Sequence, residues 1–516
     1  MNKRIGSMAI GLVAAFAVRA QATSSGTEFW VTYMENLDLQ FNQPPYFQLV
    51  ISSDHTTQGE VQIPATGFAI PFNVMAHHDT VLTLPTSIYY GAGDEAYFDY
   101  GIRLVADDPV SVYSYHHRQY FTDAAMVLPT PRLGTEYMVL AHEDVVNISP
   151  SEFVVLATSD ATEVEITPSI LTVGFRPPGS PFNVLLEQGQ TFQVQAYGDL
   201  SGTYVRSVDP TKPIAVFSGA RQARVNCQLG ADDHLYQQIE PIAAWGTEYR
   251  VVPFKLRGGD EVRILGSADS TVVQLSGGSP ITVDSGEVFS VVVSVPLTLT
   301  ASAPVAVGQF NESQECNPAN GDPAYLWLQP ENREDQRAIW SSLTGEGTPS
   351  HYVNVVTQGE AGSPVVLLDG VDVSAQLAPM VGVPGVFWAQ YDVTSGEHVL
   401  DCPTGCQATA YGFGDYNSYA FHLGYGTSPM NTGIVEFAGG FGSSGTTIAS
   451  GGYLDLGRYG IGTNMIIDLY DHAGRAVRSW RSSAAIRIDV PEGIYIMRMS
   501  GMDGAMRTVR LLVIGS

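Results

Sequence analysis

Positive charge is scarce in this chain. Of 516 residues 25 are Lys or Arg and 52 are Asp or Glu, a formal net charge of −27. The deficit is internal: residues 21–429 hold 14 basic side chains against 45 acidic ones, whereas from residue 430 onward the balance is 8 against 7. An acidic body repels phosphate backbones and anionic headgroups, so nucleic acid and anionic lipid are disfavoured as partners. The step in composition is itself a boundary signal. Cysteine is nearly absent, with four residues, of which Cys402 and Cys406 form the one close pair. Beyond the N-terminus no stretch has eighteen uninterrupted apolar residues, so no transmembrane helix is expected in the mature chain. Gly-x-Ser-x-Gly, His-Glu-x-x-His and a phosphate loop are missing as well, and nucleophilic, zinc-protease and nucleotide chemistry lose their local marks. No enzyme is expected.

What the chain does have is 53 glycines, 30 prolines, 25 tyrosines and 44% hydrophobic residues, the composition of several β domains. It also repeats itself. Gly26-Thr-Glu-Phe-Trp-Val returns as Gly134-Thr-Glu-Tyr-Met-Val and Gly246-Thr-Glu-Tyr-Arg-Val, with the glycines 108 and 112 residues apart. A period of that length means a tandem array of small domains. A second landmark keeps step: Ala106-Asp-Asp-Pro-Val, Val208-Asp-Pro-Thr-Lys-Pro-Ile and Ala301-Ser-Ala-Pro-Val, with a weaker echo at Asp401-Cys-Pro-Thr-Gly-Cys406. Proline presets φ and donates nothing to a ladder, so each copy is expected to mark a hairpin near a sheet edge.

Between these landmarks run short alternating or apolar segments such as Tyr46 to Ile51, Glu152 to Leu156, Glu261 to Leu265 and Tyr352 to Val356, bounded by Gly, Pro, Asn and Asp. They read as strands, and the fold class is all-β: tandem β-sandwich-like repeats of about a hundred residues. The alternative sets the repeats radially, as in a β-propeller. The expected divisions are a signal peptide at 1–20, modules at 26–133, 134–245, 246–350 and 351–426, a Gly/Ser-rich linker at 427–452 and a C-terminal domain at 453–516. Within the third module, Glu331 to Trp340 offers the one candidate helical turn.

Lys3 and Arg4, an apolar run from Ile10 to Val18 and Val18-Arg-Ala20 have the order of a secretory signal cleaved after Ala20. Export permits disulfides. Three pairings are possible; the expected one joins Cys402 to Cys406 across Pro-Thr-Gly and Cys227 to Cys316, against a four-thiolate zinc site or four buried thiols. The linker contains Gly440, Gly442 and Gly445 in Gly-x-Gly-x-x-Gly spacing, but no helical pattern follows to meet a pyrophosphate, so it reads as a joint.

The last segment contains Leu469-Tyr-Asp-His-Ala-Gly-Arg-Ala-Val477, Pro491-Glu-Gly-Ile-Tyr-Ile-Met-Arg498 and a terminal Arg510-Leu-Leu-Val513. This order resembles the C-terminal sorting domain of type IX secretion substrates, a small β-sandwich, and implies the type IX machinery as a partner. The body carries Gly26-Thr-Glu-Phe-Trp-Val, Lys212-Pro-Ile-Ala-Val-Phe-Ser-Gly219, Asp233-His-Leu-Tyr-Gln-Gln-Ile-Glu-Pro241, Trp245-Gly-Thr-Glu-Tyr249 and Ser418-Tyr-Ala-Phe-His-Leu-Gly424. Over residues 26–426 it resembles the N-terminal domain family of IgG Fc-binding protein. That resemblance implies a binding role toward an extracellular partner.

Candidate site residues are few. His77-His78 and His116-His117 are paired imidazoles, but neighbours on a strand face opposite ways, so hydrogen-bonded histidines outweigh ligands. Asp232-Asp-His234 and the loop from Gly91 to Asp99 offer oxygen ligands without EF-hand spacing, which leaves calcium a weak expectation and otherwise no cofactor. Tyr411, Phe413, Tyr416, Tyr419 and Tyr425 form an aromatic ladder that either stacks on sugar rings or packs across strands, with packing favoured. The expected function is therefore a secreted or surface adhesion protein that recognises extracellular glycoprotein or polysaccharide. The alternatives are a carbohydrate-active hydrolase with a carboxylate pair, or a structural spacer.

Overall fold

The computed structural model describes residues 24–37, 46–85, 93–143, 149–228, 230–317, 319–331, 333–343, 347–359 and 364–424, and seven strands between 446 and 514. The chain divides into two compact units, Met1–Asn431 and Thr432–Ser516. Regular structure among the described residues is all strand apart from four short 3-10 turns, such as Thr130–Arg132 and Ile242–Ala244.

The first unit repeats one plan four times. An opening strand comes first: Gly26–Val31, Glu136–Met138, Gly246–Val251 and Asp335–Ser342. A long strand follows later in each copy: Ile102–His117, then Tyr204–Ser207 continued by Ile214–Ala223, then Leu297–Phe310 and Gly396–Gly414. A return strand closes each copy: Asp123–Val127, Asp233–Gln238, Tyr325–Trp327 and Asn417–His422. The first half of every long strand pairs with the opening strand in an outer sheet. Its second half pairs with the return strand in an inner sheet. One bent strand thus serves two sheets.

The bend is where the prolines lie, and here the expected hairpins are corrected. The chain runs on through Pro109, Pro304 and Pro403 within single long strands; the second copy alone breaks, over residues 208–213. Opposite the first proline, Gly26 faces Val110 while Glu28 faces Val105, and the third and fourth copies shift in the same way. Two residues of one strand therefore oppose five of the other. Such a bulge re-aims a strand and takes the proline, which has no N–H, out of the ladder.

Burial separates the two kinds of sheet. The outer strand Thr162–Thr167 alternates buried and solvent-facing residues, while the inner strand Ser151–Ala157 is buried at every position. A strand covered on both faces must be apolar throughout, which is why Phe153-Val-Val-Leu-Ala157 shows no period. Phe153 and Val155 join the core of their own module, and Val154 and Leu156 enter the core of the first. The pattern continues: Leu265 and Phe310 of the third copy enter the core of the second, and Tyr411 and Phe413 of the fourth enter that of the third. Tyr113, Tyr115 and Met126 of the first copy complete the core of the fourth. The sequence suggests modules with their own cores; instead each core is shared with a neighbour, the last with the first.

Two further corrections follow from pairing. The helical turn expected at residues 331–340 is replaced over its second half by a strand, Asp335–Ser342 on Gly396–Gly414, in which Trp340 is fully buried. The fourth copy accordingly starts near residue 335, not 351. Ala96–Phe98, assigned by sequence to the first module, pairs with Thr191–Ala196 of the second.

The second unit has a five-stranded sheet in the order Thr446–Ala449, Met506–Ile514, Gly493–Gly501, Met465–Asp471, Ala476–Arg481, and a separate pair of Tyr453–Asp455 with Ala485–Arg487. Ile467 and Leu469 are buried, as alternation along that strand requires. The signal peptide with Ala20, the glycines at 440, 442 and 445, and Tyr425 lie outside the described residues.

Candidate functional site

The four return strands meet side by side, and Asp123 lies at their junction. Its carboxyl accepts the N–H of Ala124 (2.8 Å), Tyr236 (2.9 Å), Tyr325 (3.2 Å) and Ala420 (3.4 Å), one amide from each module. Burial pushes this carboxyl well above the usual range, and the four amides oppose the shift by stabilising its charge. Beside it, Gln237 donates from Nε2 to the carbonyls of Ala124 and Ala420. The axis is closed by hydrogen bonds at this level, so any ligand must enter from one of its ends.

At one end the return strands run into the prolines that precede the Gly-Thr-Glu segments. Gly26, Gly134 and Gly246 each face such a proline, and a Cβ on any of them would run into the ring of Pro129, Pro241 or Pro330. The aromatic residue three positions on completes the corner: Tyr137 Oη accepts from Gly134 N–H (2.9 Å) and donates to the Ile214 carbonyl (2.7 Å), and Tyr249 does the same with Gly246 and Val305. The repeated motif is therefore a folding device. A cavity of about 800 Å³ opens here, lined by Arg132, Glu136, Glu248, Glu331 and Arg333 among others. Its two lining cations are held internally, because the buried Glu240 carboxylate binds Arg132 and Arg333, each at 2.5 Å. Glu248 and Glu331 share a hydrogen bond, which raises the Glu248 carboxyl first of all, with burial second.

A second cavity, of about 730 Å³, lies where the first and fourth modules meet. Arg337 there binds Asp401 (2.5 Å) and reaches His77 Nδ1 (3.1 Å). Nearby, Glu397 accepts from His78 Nδ1 (2.9 Å) and from the Asp79 amide (2.8 Å), and Tyr115 Oη donates to the Ser341 carbonyl (2.6 Å). These contacts join the first module to the last.

The opposite end of the axis is built by the loops between long and return strands. A cavity of about 420 Å³ sits among them, lined by Tyr120, Phe121, Gln222, Ala231, Asp232, Asp322, Asp415 and Tyr416. All four modules contribute. The Cys227–Cys316 disulfide ties the second and third loops together. Asp232 binds Arg224 through two bonds, at 2.6 and 3.0 Å, and Asp415 accepts from Gln314 Nε2 at 3.0 Å. Asp322 differs. It is 1% exposed, its Oδ1 takes one long bond from the Gln314 amide (3.3 Å), and among the described residues its Oδ2 accepts none. Burial raises its carboxyl to about 7, opposed by the Gln314 amide and reinforced by the charge of Asp232. Tyr120, Ala231 and Tyr416 all have positive φ, a conformation that costs free energy outside glycine.

The sequence-derived candidates scatter. Cys227 is joined to Cys316 and Cys402 to Cys406, the expected pairing. His116 and His234 are fully buried with ring centroids 4.7 Å apart, and burial lowers His234 to about 3, so both stay neutral. Glu95, in the acidic loop, is held by Arg176 (2.9 Å). Tyr411, Phe413 and Tyr419 are buried in shared cores and stack on nothing outside; Tyr416 alone of the described ladder reaches a cavity, its Oη bound to Glu315. Asp232 and Tyr416 are thus the two loop-end residues that sequence reasoning singles out. A recurring signal reaches further: Asp123 and Asp233 open their return strands, and Asp322 and Asp415 shortly precede theirs.

With this geometry in place, comparison gives the class: the family profile of IgGFc binding protein matches residues 123–412, more than half of the chain, and the chain belongs to that family. Among curated proteins, the human IgGFc-binding protein is 26% identical over 410 residues, which covers 76% of this chain and 7% of that much longer protein. Among solved structures, dimeric latent PorU from Porphyromonas gingivalis aligns over 51% of this chain and 30% of its own at 12% identity, with a TM-score of 0.10 that carries no structural argument.

Proposed function

We propose that this chain is an exported binding protein whose β modules recognise an extracellular glycoprotein or polysaccharide without catalysing a reaction. The observation that carries the reading is a set of exposed aromatic rings on one sheet of the second module and the loop tied to it. Tyr97 and Tyr197 are each 51% exposed and Phe175 is 81% exposed, held outward at φ 65°. The loop bearing Phe175 is tied to this sheet by Val173 N–H to the Gln195 carbonyl (2.8 Å), and Arg176 is tied to Glu95 beside Tyr97. Rings presented on a rigid sheet edge are the usual anchors of a binding surface. Membership of the IgGFc binding family and the signal-like N-terminus support the same reading, and the type IX-like tail supplies the route of export.

The hydrolase alternative finds less support. Glycoside hydrolysis needs carboxyls about 5–9 Å apart, and Glu248 and Glu331 in the cavity at the proline end share one hydrogen bond. The test is a glycan and glycoprotein array, with immunoglobulin Fc among the spots, probed with Gln21–Ser516 and with its Phe175→Ser variant. Binding that drops at least about tenfold in the variant supports the proposal, since an interface anchor contributes ~2 kcal/mol or more; silence from the parent chain rejects it. For export, deletion of residues 453–516 in a host with type IX secretion should leave the protein inside the outer membrane, and surface delivery of the shortened chain would refute that part.

A further inference from the structure

All 14 basic side chains of the acidic body are engaged within it. Arg103, Arg132, Arg176, Arg206, Arg221, Arg224, Arg250, Lys255, Arg263, Arg333 and Arg337 are in ion pairs. Lys212 and Arg257 are bound to backbone carbonyls, and Arg118 also has a partner. The surplus carboxylates therefore lack internal cations and, apart from buried ones such as Asp123, Glu152, Asp233 and Asp260, lie at or near the surface. At the loop end of the axis this surplus is gathered in a cavity. Asp232, Asp322, Asp415 and the adjoining Glu315 are four carboxyls with Arg224 as their one guanidinium partner among these bonds, and that cation is committed to Asp232.

Two features point to a ligand beyond the charge itself. Asp322 lines the cavity while only 1% exposed; its Oδ1 is held by one long bond from the Gln314 amide, and its Oδ2 has no hydrogen bond among the described residues and is left to the cavity. The walls also carry Tyr120, Phe121 and Tyr416, whose rings suit a delocalised cation. A space of about 420 Å³ falls in the range of small-molecule sites and admits one long side chain. The planar guanidinium combines stacking on aromatic faces with forked donation to carboxylates, which a compact ammonium cannot do.

We infer that this cavity receives an arginine side chain presented by a protein partner, with Asp322 and Asp415 as its acceptors and Tyr120 and Tyr416 as its flanking rings. The inference rests on the binding reading above and names the chemistry of one subsite. It is tested by ligand-observed NMR titration of Gln21–Ser516 with Nα-acetyl-arginine methylamide, its uncharged citrulline analogue, the lysine analogue, and calcium chloride. The arginine compound should bind, the citrulline compound at least about tenfold more weakly, and the Asp322→Asn/Asp415→Asn variant should lose a similar factor, as expected for a charge-assisted hydrogen bond worth ~1.5–3 kcal/mol. Asp107→Asn/Asp108→Asn, which removes two exposed carboxylates elsewhere, should stay within about twofold. If burial of Asp322 makes the double variant unstable, exposed Asp415→Asn alone is read.

Equal response to arginine and citrulline, lysine binding as tight as arginine, calcium binding without arginine binding, or an unchanged double variant would each overturn the assignment. Array binding by the parent chain that persists undiminished in a double variant unable to take arginine would remove the cavity from partner recognition and leave the broader function standing. Arginine capture with a silent array would do the reverse.

Discussion

The two ends of the central axis are made from the same four return strands, yet they treat buried charge in opposite ways. At the proline end Glu240 is enclosed between Arg132 and Arg333. At the loop end Asp322 has comparable burial and no guanidinium bonded to it. A buried carboxylate with its counter-ions is a clamp, because removing either partner leaves a charge without solvent or partner. A buried carboxyl that keeps a free oxygen beside a cavity contributes little to holding the fold and remains available. The difference assigns architecture to one end and recognition to the other.

The comparison breaks most visibly through the residue between the ends. Asp123→Ala deprives four amides, one per module, of their acceptor, and unmade buried bonds cost about 1–3 kcal/mol each. Urea denaturation should show a loss of at least ~4 kcal/mol or no folded protein at all, and a loss below ~1 kcal/mol would mean that the junction is not where the modules are held. At the proline end, Glu240→Gln should cost about 3–5 kcal/mol by removing the buried counter-charge of two guanidiniums. Asp415→Asn at the loop end should change stability by less than ~0.5 kcal/mol. Similar losses in the two variants would erase the distinction between clamp and open site.

Titration sharpens it further. Burial raises Asp322, and also Asp260 near Arg257, to about 7. For each, the folded state holds a proton that the unfolded chain releases near pH 4, so its own contribution to stability is greatest below pH 4 and declines as pH rises toward 7. Buried neutral histidines such as His116 and His234 act in the opposite direction below about pH 6.5, so the carboxyl is read as the stability difference between the parent chain and Asp260→Asn. From pH 5 to 8 that difference should move against the parent by on the order of 1–3 kcal/mol, and a difference independent of pH would show Asp260 to be ionised in the fold. A modest gain is expected in the first proline corner, where Phe29 replaces the tyrosine of the other two copies. Phe29→Tyr should supply the missing bridge from Gly26 N–H and stabilise by about 0.5–1.5 kcal/mol, read as a shift in the urea midpoint.

Much of the repeat is legible because local chemistry forces it. Glycine recurs at 26, 134 and 246 where a proline ring from the following segment leaves no room for a Cβ, and the Gly-Thr-Glu signal follows from that contact. The fourth copy is recognised without its opening strand since Asp335 stands where glycine does in the others, so that strand passes for part of the preceding module. The proline landmarks are correct in position and misread in meaning. Pro109 looks like a turn residue, but the strands on either side of it belong to different sheets of one continuous segment. The aromatic ladder is misleading for a related reason: Tyr411 and Phe413 stand on an inner strand with apolar neighbours from two modules, and nothing local records the second neighbour.

Composition, periodicity and turn chemistry by themselves determined an all-β chain, its repeated unit, the acidic surplus and the close Cys402–Cys406 pair, since each depends on residues near in sequence or on totals; Cys227 and Cys316, 89 residues apart, were one of three possible pairings. Tertiary structure alone decided that the copies share their cores, that Asp123 gathers one amide from each, and that Asp232, Asp322, Asp415, Tyr120 and Tyr416 border a single space. Those residues are separated by up to three hundred positions and carry no mutual signal, because a loop side chain is placed by the strands that bear it and not by its neighbours along the chain.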